Sequence, residues 1–296
     1  MAGQNTKILA SDYNAIQTII NGVMGTGTGD SGYGQTLSSS QISGNPIMSA
    51  LQWANLRSDI LKARTHQTTS PETLTIPTTS VKITESDRAA YQAAANNAVT
   101  YRLAIPPSGQ ATSSAIATKT RTTAWNGSIS HSVTVSFATT EEARFYFNAG
   151  GQIQFTASRT GGTVGTKNTS WTTMLTNMGT ITFGRSTTSA TGTGTGSSIG
   201  WSNLTTTAQT IFTKNTEQIA SPSYTPNDYH ITAATSANGL QLIFVIYFED
   251  LSGQPNIPWG TDEDVDGTLT STATLYYATG TNVSVTAPTL VTNSGL

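Results

Sequence analysis

The sequence predicts a mainly β protein with an N-terminal helical segment and a C-terminal β-sandwich-like domain. Three observations lead there. Sustained three-and-four spacing of apolar residues is confined to residues 1–103. From about residue 115 the pattern changes to short alternating runs separated by glycine and asparagine clusters. Threonine makes up about a fifth of the chain, and only 10% of residues are charged, against about 25% in ordinary globular chains. Threonine is β-branched and suits strands, where its hydroxyl meets water or a cross-strand neighbour.

The first helix is expected behind a Ser11 or Asp12 cap, with Tyr13, Ile16, Ile19, Ile20 and Val23 on one face. Gly22 and Gly25 weaken and end it, and GTGTGDSGYGQ (25–35) reads as a loop. A second helix is expected with Pro46 in its first turn behind Ser43 or Asn45. Its apolar side runs through Ile47, Leu51, Ala54, Leu56, Ile60 and Leu61. Two prolines and many threonines over 67–84 suggest a linker or extended arm. The stretch 85–103 reads as a third helix, capped by Ser86 or Asp87 and ended by Pro106 and Pro107.

Strands are expected over 132–137, 152–157, 180–183, 240–248, 268–278 and 282–287, with short helices at 140–147 and 169–178. The TGTGTGSSIG run (191–200) lies in a stretch (186–200) that reads as a mobile loop. The domain organisation that follows is a helical docking module over 1–68, an arm plus helix over 69–114, and a β-sandwich-like domain over 115–296.

Composition narrows the function classes. The net charge is −2 with no basic block, so a phosphate-tracking surface and a nucleic-acid partner are not expected. Cysteine is absent, which removes disulfides, thiol catalysis and thiolate metal sites. The N-terminus lacks the pattern of a secretory leader. The longest apolar run, Leu240–Phe248, is broken by Gln241 and is far shorter than the roughly 20 residues that span a bilayer. No membrane partner is expected.

Catalytic chemistry is hard to find. His66, His131 and His230 are far apart and fit surface or loop positions. No G-x-S-x-G elbow is present, and the GTGTG runs at 25–29 and 192–196 lack the flanks of a phosphate cradle. The chain therefore reads as a non-enzyme without a cofactor.

One acidic loop stands out. In TDEDVDG (261–267), Asp262, Asp264 and Asp266 followed by Gly267 match the first half of a calcium loop. The twelfth position is Ala273 rather than the bidentate glutamate. Glu249 and Asp250 are conceivable extra ligands for a structural Ca²⁺, and a plain solvated loop is the alternative. Trp53 and Trp171 fall on helices and are expected to pack, whereas Trp125, Trp201 and Trp259 sit near loops and are candidates to face a partner.

Two segments resemble a known group. ASDYNAIQTIINGVMGTGTGDSGYGQTLSSSQIS with MSALQWANLRSDILKARTHQT, and FATTEEARFYFNAGGQIQFTASRTGG with KNTSWTTMLTNMGTITFG, are similar to virion structural proteins of tailed phages, particularly cyanophages. The likeness covers 10–68 and 137–184. It implies a structural component of the virion; self-association into a homo-oligomer and contacts with other virion proteins are what the polar, charge-poor composition leads one to expect. A place in the tail apparatus is expected, at the neck, the baseplate or the attachment of a tail fibre. The alternative is a receptor- or glycan-binding module of a tail fibre or head decoration, for which Trp259, Asn256 and the acidic loop form the candidate cluster.

Overall fold

A computed structural model describes residues 8–44, 48–215, 224, 226–252 and 264–296. The chain divides into two compact units. The first comprises Met1–Thr112, Arg144–Gly151 and Tyr277–Thr286; the second comprises Ser113–Ala143, Gln152–Tyr276 and Ala287–Leu296.

The first unit is built on α1 (Ala10–Met24), α2 (Ala50–Gln67) and α3 (Glu85–Thr100). The expected apolar spacing on α1 is what buries Tyr13, Ile16, Ile20 and Val23. One aromatic ring from each helix meets at the centre. Trp53 stands edge-on to Tyr13 and to Tyr91, each at 5.3 Å and 89°. Such edge-to-face pairs contribute beyond their area, by about 0.5–1.5 kcal/mol each.

The helix starts differ from the sequence reading. The N-caps are Leu9, Ser49 and Thr84. Asp12 and Asp87 stand at the third helical position instead, and each accepts a hydrogen bond from the backbone N–H of its cap residue. Asn45 and Pro46 lie outside the described residues. Residues 69–84 form no helix or strand beyond an isolated bridge between Thr78 and Val81, yet they are tied down. Leu74 is buried, Tyr91 Oη donates to the Thr75 carbonyl at 2.7 Å, and Glu72 accepts from Arg64 of α2 and Asn97 of α3.

The glycine loop 25–35 is gripped by side chains. Tyr33 donates through its hydroxyl to the Arg102 carbonyl and accepts from Gln67. Arg144 and Asn148, from α4 (Thr140–Asn148), donate to the carbonyls of Thr26, Ser31, Asp30 and Gly32. No described helix is long and apolar enough to cross a membrane.

His66 is fully buried in this unit, contrary to its expected surface position. Its Nε2–H donates to the Ala149 carbonyl at 3.1 Å, while Nδ1 finds no partner. Burial holds the imidazole neutral and pushes its pKa from 6.5 down to about 4. A histidine depressed in the folded state contributes stability above its unfolded pKa and loses it as pH falls. The loss therefore runs from pH 6.5 down to about 4 and reaches roughly 3 kcal/mol. Asp250, whose carboxyl is raised mainly by burial, works in the opposite sense. Urea midpoints of wild type and His66→Gln, followed from pH 7 to pH 4, isolate the histidine: the wild-type midpoint should fall more steeply.

The second unit is a sandwich of two antiparallel sheets, as the alternation predicts. One sheet has the order β1 (Ala111–Arg121), β9 (Thr268–Ala278), β3 (Gln152–Thr160), β4 (Ile181–Phe183), β5 (Thr188–Ala190). The other runs β10 (Thr289–Gly295), β2 (Gly127–Ser136), β8 (Gln241–Asp250), β7 (Asp228–Thr235), β6 (Gln209–Asn215). Phe244 of β8 meets Phe155 of β3 and Phe183 of β4, each at 5.1 Å, across the inter-sheet core. The stretch 282–287 is not a strand; Ser284 makes only an isolated bridge to Thr279.

Helix α5 (Thr166–Met178) lays Trp171 against Phe248 of β8 and against Trp125. Trp125 is thus buried rather than turned to a partner. The helix is anchored by an ion pair, Lys167 Nζ to Asp250 Oδ2 at 2.8 Å, with both side chains almost wholly buried.

The TGTGTG run is a strap, not a loose loop. Thr188 of β5 bridges to Ser197, and Thr195 bridges to Thr213 of β6, so the run stitches the two sheets along one side. A Cβ at Gly192 would lie 1.9 Å from the Asn177 carbonyl oxygen, and one at Gly196 would lie 2.2 Å from that of Thr188. Glycine at every second position here permits close backbone approach, which composition alone cannot tell from flexibility.

Candidate functional site

Two of the three sequence-derived metal ligands, Asp264 and Asp266, fall within the described residues. Asp262 lies outside them, as do Trp259 and Asn256. Asp264 is exposed. Asp266 is already engaged: it accepts from Thr163 N and Oγ1, Asn168 Nδ2 and Arg159 Nη2. These donors hold its carboxyl below the usual range, with the Thr163 backbone N–H the largest cause. The carboxylate ties the loop after β3 to the start of α5. Of the two conceivable extra ligands, Asp250 is consumed by Lys167, and Glu249 points to a different cluster.

His131 is also buried, against expectation. Its ring links the sheets through Ser271 of β9 at Nδ1 and Asn293 of β10 at Nε2, both at 2.9 Å. Desolvation lowers its pKa. Both buried histidines are therefore structural.

Two surface features remain. The first is the outer face of the β1–β5 sheet. Leu269, Ala273, Ile153, Phe155, Ile181 and Phe183 point inward, so alternation turns their neighbours outward. The register aligns Thr118, Thr272 and Thr156 in one row, and Thr120, Thr270 and Ser158 in the next. A third row holds Thr274, Gln154, Thr182 and Ser189. None of these positions is Asp, Glu, Lys, Arg or His. This face ends at β1, an edge strand whose residues 113–115 are all exposed.

No family model, curated protein or solved structure matches the chain.

The second feature lies on the outer face of the other sheet. Asp228 and His230 are two residues apart on β7 and share a face, and the register sets Glu249 of β8 opposite Asp228. His230 Nδ1 is 2.8 Å from Asp228 Oδ2 and 3.8 Å from Glu249 Oε2. The hydrogen bond to Asp228 is the main cause that raises the imidazole pKa; the charges of Asp228 and Glu249 add to it. Tyr247 lies parallel to the ring at 4.5 Å. Sequence reading passed over this cluster. The D-x-H alternation in DYHIT was a usable signal for two of its members, but the third depends on β-strand register.

Proposed function

We propose that the chain is a non-enzymatic structural subunit of a tailed-phage virion. It belongs to the tail apparatus and acts through contacts with copies of itself and with other virion proteins. The observation that carries this reading is the ion-free hydroxyl face that ends at the edge strand β1. Covering threonines and serines that can bond across an interface avoids the several kcal/mol per ion that desolvating charges costs. An edge strand offers unpaired backbone donors and acceptors to a neighbour. Closed symmetry between copies is the usual outcome of self-association. The resemblance of 10–68 and 137–184 to phage structural proteins points to the particle in which this happens.

Thr272 lies in the middle of its row, so Thr272→Arg places an ion at the centre of the face. The substitution is on the surface and should move stability by no more than about 0.5 kcal/mol. Self-association, read by sedimentation velocity, should weaken at least about tenfold, because a charge is then buried unpaired. Antibody to the chain should label purified particles at the tail. A chain that stays monomeric at high concentration and is absent from particles would sink the proposal.

A further inference from the structure

We propose that Asp228, His230 and Glu249 form a binding site for a divalent transition-metal ion of the zinc class on the outer face of the β7–β8 pair. The inference is independent of the assembly role. Three donors of the right kind converge here, one imidazole nitrogen and two carboxylates, with their ligand atoms all within 4.8 Å of one another. Ligand atoms around a tetrahedral zinc stand about 3.4 Å apart, given bonds of about 2.1 Å. The observed 2.8 and 3.8 Å from His230 Nδ1 bracket that spacing, so small side-chain rotations suffice.

The donors stand on paired strands rather than loops, which fixes their Cα positions. Their orientation is also supported. Tyr247 stacks on the imidazole, and Ser128 Oγ of β2 donates to Glu249 Oε1 at 3.4 Å. Metal ligands are usually held by such outer contacts. Asp228 Oδ1 is buried and accepts no hydrogen bond. A buried carboxylate oxygen without a donor is costly, and a cation bound at Oδ2 would offset part of that cost by neutralising the carboxylate.

The donor set selects the metal class. Imidazole with carboxylates suits zinc, manganese, cobalt or nickel, whereas calcium takes six or more oxygens and has no use for the nitrogen. Partial exposure of all three side chains, at 19–25%, leaves coordination positions open to water or to a donor from a neighbouring molecule. An ion here would pin β7 to β8.

The test uses the full chain, stripped with chelator and titrated calorimetrically with zinc chloride and, separately, calcium chloride. One equivalent of zinc should bind, and calcium should not displace it. His230→Gln, Asp228→Asn and Glu249→Gln should each weaken zinc at least about tenfold, with far-UV circular dichroism unchanged. Zinc should raise the melting temperature of the wild type but not of the variants. No saturable zinc binding, equal affinity in all three variants, or displacement by calcium overturns the proposal. Should the variants misfold, cobalt(II) added to the wild-type chain decides. A visible spectrum distinct from the hexa-aquo ion upholds the site, and the unperturbed aquo spectrum overturns it.

Discussion

Trp53→Ala is expected to destabilise the helical unit by about 3–5 kcal/mol, the range for removing a large buried aromatic. Trp53 is 3% exposed and is the ring that both other helices share. Tyr13 of α1 and Tyr91 of α3 each present an edge or face to it at 5.3 Å. Removing it deletes two aromatic pairs and leaves a cavity bordered by three helices, none of which can close it alone. The hydroxyls of the two tyrosines hold backbone carbonyls, Gln52 for Tyr13 and Thr75 for Tyr91. Those bonds keep the rings from collapsing into the space. Urea unfolding followed by far-UV circular dichroism checks the loss, and Trp53→Phe should recover more than half of it. An alanine variant within 1 kcal/mol of wild type would remove Trp53 from the centre of this core.

Asp250→Ala is expected to cost a similar amount, about 3–5 kcal/mol, by a different mechanism. The substitution takes a carboxylate from beside the Lys167 ammonium, in a place where both side chains are at most 1% exposed. A buried ammonium that loses a carboxylate at 2.8 Å loses that compensation for its own desolvation. Ser252 Oγ, which donates to the same carboxylate at 3.0 Å, loses its acceptor as well. The double change Lys167→Met with Asp250→Leu should recover most of the stability, because two apolar groups of similar volume carry no desolvation penalty. Thermal unfolding of the single and double variants distinguishes the cases. A double variant no better than Asp250→Ala would mean that packing, not charge, sets the cost.

Much of this architecture was legible in the sequence. The helices declared themselves through Tyr13, Ile16, Ile20 and Val23, and through the alanines of α3. The strand over Leu240–Phe248 was the clearest in the chain and is the central β8. Strands β1 and β10 escaped notice for physical reasons. The middle of β1 reads SSAIATK, and as an edge strand it is exposed along most of its length, so no inward–outward alternation marks it. In β10 a bulge between Leu290 and Thr292 breaks the period. Cap positions shifted because aspartate serves equally as the cap and as the third residue reaching back to it, and spacing alone does not separate these roles.

The polar sites were less legible. His66 and His131 are isolated in sequence, and isolation suggests a surface position. Their partners, Ala149, Ser271 and Asn293, lie far along the chain. The acidic loop had the spelling of a calcium site, but Asp266 answers to Thr163 and Asn168 across about a hundred residues. Loop spelling counts carboxylates and says nothing of the donors that claim them.

The division of the chain into interleaved stretches has a consequence for how the protein is made. The helical unit opens the sequence, yet its buried core includes Ala149, Ala278 and Val283. A nascent chain can form α1, α2 and α3 early, but it cannot close that core until residues 277–286 have left the ribosome. Commitment to the native state is thereby deferred until that stretch has been made, and the early helices must stay unaggregated in the meantime. Their modest hydrophobicity, with an alanine-rich α3 and a polar α2, suits a chain that has to wait.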